Sequence, residues 1–294
     1  MLDRVDRFPF SAPFATATDT GNLAVVRGTF AGLSAPGLAV GYAVAGYQTI
    51  PSTTTRIDQF PFSAPFVSST LIGNLSVARH FNVGFSSTTT GYSVGGNTPS
   101  APSPASALEV LTFPFSVPFA TATDIGDLIN PASTSGTHNQ NYIDGYAMRR
   151  VPGVPVANSE RFPFSTPLTS FVDVGLLVGS AAYAAPSNST TDGYSAGGTT
   201  FIPGPSTVPV SAIDRFPFSS PFTTATDVGD LVVTNIYQMG GSSSNTDGYS
   251  LGGVTPTPTQ ANNIQRFPFS SPFTTSTDIG DLSLARGSLE GYQG

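Results

Sequence analysis

One short string, Phe-Pro-Phe-Ser, recurs six times in this chain of 294 residues. It begins at Phe8, Phe60, Phe113, Phe162, Phe216 and Phe267, a period of roughly 50 residues, within the range typical of solenoids and propellers. At one fixed distance after each first Phe stands a glycine: Gly21, Gly73, Gly126, Gly175, Gly229 and Gly280. A leucine follows two positions later, at Leu23, Leu75, Leu128, Leu177, Leu231 and Leu282. A second motif, Gly-Tyr-x-x-Gly-Gly, falls at a looser distance: GYAVAG from Gly41, GYSVGG from Gly91, GYAMRR from Gly145, GYSAGG from Gly193 and GYSLGG from Gly248. Fixed spacing inside a segment and variable spacing outside it describe a structured unit joined by surface loops.

The segments read as strands. In VDRFPF and AIDRFPF the two Phe stand at i and i+2, so their rings share one face of a pleated strand. The Pro between them cannot donate to a ladder, which places the Phe-Pro-Phe end at a strand terminus or outer edge. The TDxGDL segment reads as an Asp-initiated turn followed by a strand, and stretches such as AVVRGTFAG read as a further strand. The Gly-Tyr segment is another strand, closed by a glycine pair that permits tight turning. No stretch keeps a helical period. Four short strands per repeat, six times over, predict an all-β, six-bladed β-propeller occupying residues 1–294 as a single domain. Phe pairs buried between neighbouring sheets would supply the cohesion, at ~1.5–3 kcal/mol for each fully buried ring.

The two ends predict a seam. The chain starts on the third-strand motif, because DRVDRFPF matches AIDRFPF. Near the C-terminus, Gly291 stands at the offset that reaches Gly32, Gly84 and Gly240, so it reads as an inner strand rather than a sixth Gly-Tyr strand. The seam blade would then combine both termini and lack one strand, and a neighbouring subunit could fill the gap by strand addition.

Composition narrows the chemistry. There is no Cys, which excludes a disulfide scaffold, a zinc–thiolate site and a Cys nucleophile. All 11 basic residues are Arg, which excludes a Schiff-base lysine and a Walker lysine. The net charge of −7 with no basic run argues against nucleic acid and against an anionic membrane as partners. No apolar stretch reaches membrane-span length, and the charged first residues do not read as a signal peptide. The two histidines, His80 and His138, have no paired catalytic group, and His80 beside Arg79 reads as a surface residue. The Asp pairs Asp124/Asp127, Asp227/Asp230 and Asp278/Asp281 supply too few oxygens for a calcium loop and read as turn caps, so no metal and no cofactor is expected. The richest polar cluster is THNQNYIDGYAMRR in the third repeat, from which His138, Asn141, Tyr142, Arg149 and Arg150 are the candidate ligand-binding residues. The Ser-, Thr- and Pro-rich loops at 97–107, 199–209 and 255–263 should be semi-extended and share one face of the disc.

The glycine pair, the third strand at Phe113, the Leu128 strand and the Arg after the Leu strand (Arg27, Arg79, Arg286) resemble a kelch repeat. The variant with IDRFPFSS, TDVGDL and DGYSxGG is similar to kelch-like repeat proteins of tailed bacteriophages, notably marine and cyanobacterial ones, over nearly the whole chain. The pattern is broken at Ala45, Arg149 and Arg150 in the glycine pair, at Leu71 for the motif Asp, and at Asn235 for the Arg. The resemblance implies a non-enzymatic structural or adhesive protein of the virion, docking to other virion proteins, as an oligomer or alone, or contacting the host surface. The alternative is a lectin-like propeller binding a host glycan through its loops. An enzyme of the galactose-oxidase kind would need a Tyr–Cys crosslink, and this chain has no Cys.

Overall fold

The computed structural model describes residues 2–10, 13–49, 52–63, 65–99, 105–116, 118–129, 133–138, 142–150, 157–164, 171–178, 183–201, 207–219, 221, 224–234, 236–257, 259–270 and 274–292. All regular structure among them is β. Five four-stranded antiparallel sheets stand as the blades of a β-propeller. From inner to outer strand, the first blade is Ala31–Ala35, Val40–Val44, Arg56–Pro61 and Thr70–Asn74. The second is Val83–Ser86, Thr90–Val94, Glu109–Pro114 and Thr123–Asp127. The third is Ser133–His138, Asp144–Arg150, Ala157–Pro163 and Val172–Leu176. The fourth is Ala185–Asn188, Asp192–Ala196, Ala212–Pro217 and Thr226–Asp230. The fifth is Gly240–Ser243, Asp247–Val254, Gln260–Pro268 and Thr277–Asp281. The six copies of the repeat predict six blades, so this is a correction. The first copy forms only a two-stranded sheet, β1 (Leu2–Arg7) with β2 (Thr18–Arg27).

Each motif has a defined place. The first Phe of Phe-Pro-Phe is the last but one residue of the third strand and pairs with the Gly of Gly-Tyr in the second, as Phe60 does with Gly41 and Phe216 with Gly193. The far edge of the ring lies against that glycine. A β-carbon on Gly193 would run into the Phe216 ring, so a residue without a side chain is required there. The Tyr beside the glycine points at the next blade. Tyr42 stacks on Phe115 at 5.0 Å, Tyr92 on Phe164 at 4.7 Å, Tyr194 on Phe269 at 4.6 Å and Tyr249 on Phe10 at 4.9 Å. Tyr146 packs against Phe218 at 4.7 Å. Four of these phenols also donate to the carbonyl of the Phe they cover: Tyr92 to Phe164, Tyr146 to Phe218, Tyr194 to Phe269 and Tyr249 to Phe10. The expected Phe layers between sheets are therefore mixed Phe–Tyr layers, with Phe60, Phe113, Phe162, Phe216 and Phe267 buried.

Two local readings change. The TDxGD segment is itself the outer strand, not a turn before one. The Asp does make its turn-like bond, as Asp227 Oδ1 accepts from the Gly229 amide at 3.1 Å, but the bond sits within a bulge of the ladder. A bulge keeps the strand going while bending it, which is why turn chemistry and strand pairing coexist here. The Ser/Thr/Pro loops fold back as short ribbons where described: Tyr47–Thr49 with Ser52–Thr53, Asn97–Thr98 with Ala105–Ser106, and Thr199–Phe201 with Thr207–Pro209. Backbone pairing thus replaces the solvated extended form that Pro content suggested.

Blades are joined at their outer rims by parallel bridges, Asn74 to Thr121, Leu176 to Thr224 and Asp230 to Thr275. The β1–β2 sheet is joined in the same way on both sides. Thr16 bridges to Asp281 of the fifth blade. The amides of Phe66 and Ser69 donate to the Thr20 and Asn22 carbonyls. The sheet therefore stands between the fifth and first blades and closes the ring.

Candidate functional site

The seam is where the molecule departs from its own repeat. In every four-stranded blade the third strand is paired on both edges. β1, which carries the equivalent sequence, pairs among the described residues only with β2. Inward of it runs 288–292 from the C-terminal end. Ser288 has φ of 57°, matching Thr29, Phe81, Tyr183 and Gln238, each of which opens an inner-strand segment. Gly291 abuts the Gly241 carbonyl, and Glu290 abuts Gly32. Gly291 thus lies beside the inner strands of the fifth and first blades, as its offset suggests, although 288–292 is not itself a paired strand among the described residues. Between this segment and β1 lies a cavity of about 530 Å³.

The cavity walls are apolar rings and leucines with charges at one end. Phe8, Phe10, Phe60, Phe62, Leu251 and Leu289 line it. Phe8 is half-buried, whereas the first Phe of every four-stranded blade is buried. Phe62 has no tyrosine stacked on it: Tyr292 lies 6.4 Å from it and is turned by 58°, packing edge-on to Phe60 at 5.0 Å instead. The edge-on contact matches that of Phe85 on Phe162 at 5.2 Å, so Tyr292 behaves as an inner-strand ring. The Tyr292 hydroxyl is buried without a hydrogen-bond partner among the described residues. Burial pushes that phenol well above its ordinary range, with the Glu290 charge adding to the effect. Burial likewise pushes the Glu290 carboxyl well up, towards its neutral form.

The backbone tells the same story. In the four-stranded blades the amide of the second Phe donates to the residue that enters the second strand: Phe62 to Ala39, Phe115 to Thr89, Phe164 to Ile143, Phe218 to Thr191 and Phe269 to Thr246. Phe10 has no such bond among the described residues. The Arg4 carbonyl, at the far end of β1, accepts from Arg286 Nη1 at 3.1 Å. Arg286 also meets Asp6 at 2.7 Å, and Asp6 accepts from the Ser283 amide and hydroxyl. This network holds β1 in place with its inner edge open.

A second, smaller cavity of about 100 Å³ lies on the inner strands, where Asn82, Asn188, Gln238, Ser242 and Ser243 meet Glu290. No group of three or more metal-ligating side chains occurs among the described residues.

The structure separates two of the residues singled out from the third repeat, Arg149 and Arg150, from His138 and Tyr142. His138 pairs with Gly145 at one end of the strand Asp144–Arg150, while Arg149 and Arg150 pair with Asn158 and Ala157 at the other. Five strand residues separate them by roughly 17 Å. Tyr142 enters that strand in a left-handed conformation, φ 56°, and burial raises its phenol. Asn141 lies outside the described residues. The other histidine corrects its expected surface position: His80 is buried, packed at a tilt on Tyr47 at 3.9 Å and beside Phe81 at 5.1 Å. Its Nδ1 has no partner among the described residues, and desolvation lowers its pKa to about 4. Phe62 and Tyr292 were not among the expected site residues, although the sequence carries their signal. Six Phe-Pro-Phe copies face five in-phase Gly-Tyr copies, so one Phe pair had to lack its tyrosine.

The fold and its strand order define a β-propeller. A solved structure, "Structure of YjhT", is similar over 91% of this chain and 88% of that one, with a TM-score of 0.65 and 11% sequence identity. At that identity the likeness is one of fold. No protein-family model matches the chain, and no curated protein matches it.

Proposed function

We propose that the chain is a non-enzymatic docking propeller with six blade positions, the sixth incomplete, and that the open seam is where it joins a protein partner. The observation that carries this reading is the cavity of about 530 Å³ bounded by an unpaired strand edge. An open edge is a template for strand pairing, and proteins normally cover or charge such edges. Here, among the described residues, the edge is uncovered: its charges Arg4 and Asp6 are tied up with Asp19 and Arg286, and the pocket behind it is lined with aromatic rings as well as with these charges.

The resemblance to phage kelch-like repeat proteins supplies the setting: a structural or adhesive component of a virion, docked to other virion proteins. The lectin-like reading has less support, because Tyr142 precedes the strand Asp144–Arg150 and Arg150 stands at its far end. The test is a chain carrying a photo-crosslinking residue at Phe62, assembled into purified particles. Crosslinking to one virion protein in stoichiometric yield is the expected result. Absence of the chain from particles, or crosslinks confined to the outer loops, would count against the reading.

A further inference from the structure

We infer that the seam accepts one specific kind of β-strand from its partner, a segment of the pattern Gly-Tyr-small-apolar, inserted antiparallel to β1 with its tyrosine on Phe62. The inference rests on the docking reading above and names the chemistry of the occupant.

The molecule itself provides the template. In the first blade the ladder runs Gly41 to Phe60, Tyr42 to Gln59, Ala43 to Asp58 and Val44 to Ile57. The fifth blade repeats it with Gly248 to Phe267, Tyr249 to Arg266, Ser250 to Gln265 and Leu251 to Ile264. The β1 sequence and the residue after it, Val5-Asp6-Arg7-Phe8, offer the same acceptor surface, so the incoming residues oppose Phe8, Arg7, Asp6 and Val5 in turn.

Each position has its requirement. Opposite Phe8 the strand needs glycine, because in all five blades a β-carbon there would come within 2.5 Å of the facing Phe ring. Next comes tyrosine, because Phe62 is, among the described residues, the one second-position Phe without a tyrosine stacked on it. Its hydroxyl would reach the Phe62 carbonyl, as four of its counterparts reach theirs. The fourth residue must be apolar, since its counterparts Val44, Val94, Met148, Ala196 and Leu251 are all buried. A strand in this slot gains ladder bonds on both edges, from β1 and from 288–292. That is strand addition with pockets for alternate side chains.

The probe is a synthetic peptide of residues 245–255, NTDGYSLGGVT, titrated into the full chain. We expect saturable binding, slowed hydrogen exchange at the Asp6 and Phe8 amides, and a rise in Tm. Replacing the peptide tyrosine by alanine, or the chain's Phe62→Ala, should weaken binding at least tenfold. A second variant, with GYSVGG linked ahead of Met1, should raise Tm and block the peptide. Equal binding of the tyrosine-free peptide would overturn the specificity and leave the docking reading standing. Failure of both the peptide and the linked strand would overturn strand acceptance altogether. Crosslinking at Phe62 to a virion protein without a Gly-Tyr segment would likewise reject the proposed occupant but not the docking role.

Discussion

At the scale of single residues, the arginines after the Leu strand act as clasps between blades. Arg27 ends β2 and reaches into the first blade. Its Nη2 donates to Asp58 at 2.5 Å and to the Ala43 carbonyl at 3.2 Å. Arg79 does the same in the second blade, donating to the Gly95 and Glu109 carbonyls. Burial lowers both guanidinium pKa values, and the facing carboxylates act in the opposite direction. A planar fork that satisfies two strand carbonyls and a carboxylate cannot be replaced by an ammonium. Arg27→Met leaves Asp58 buried with only Arg56, so a loss of about 3 kcal/mol in denaturant melts is expected, and Arg27→Lys should not restore it. A loss under ~1 kcal/mol would show that the clasp contributes little. His80 gives a pH signature. Its folded pKa of about 4 lies below the ordinary value of 6.5, so only the unfolded chain takes up its proton between those values. Its contribution to stability is intact above pH 6.5 and is lost as pH falls towards 4. From pH ~7 to pH ~5 the chain should lose about 2 kcal/mol more than His80→Phe does. Parallel pH profiles for the two would remove the buried histidine as the cause.

At the scale of the element, a blade is a sheet whose third strand presents two rings and whose second strand supplies the glycine and tyrosine that complete them. This predicts unequal effects from one substitution. Phe115 is buried under Tyr42, and Phe115→Ala should cost about 3 kcal/mol or more. Phe62 lacks that tyrosine, and Phe62→Ala should cost under about 1 kcal/mol in the isolated chain. Equal costs, measured by urea unfolding, would mean that the seam is filled. Strand identity was legible because the motifs repeat at fixed offsets. The outer strand was misread because Asp and Gly carry the same chemistry in a bulge as in a turn, and only the pairing of Asp227 with Asp214 across the ladder separates the two. The third-repeat cluster is spread out for a related reason. Closeness in sequence becomes distance along a strand, so His138 and Arg150 part company once Asp144–Arg150 is extended.

At the scale of the whole molecule, ring closure depends on contacts that β1–β2 makes to both neighbours, and a gap is tolerated because those contacts lie at the outer rim. Thr16 to Asp281 on one side and Phe66 to Thr20 on the other hold the sheet in its place. The approach of Gly291 to Gly241 follows the repeat offset, and the seam was legible from counting motifs, six Phe-Pro-Phe against five in-phase Gly-Tyr. The cavity behind it was not, because its size depends on how Tyr292 and Leu289 pack. The central claim, the proposed open seam, is that the inner edge of β1 is unpaired in the isolated chain. Native-state hydrogen exchange on the isolated chain tests it most directly, residue by residue. The account predicts fast exchange for the Asp6, Phe8 and Phe10 amides, together with strong protection of Phe62, Phe115, Phe164, Phe218 and Phe269. Protection of Asp6 and Phe8 equal to that of Asp58 and Phe60 would contradict it.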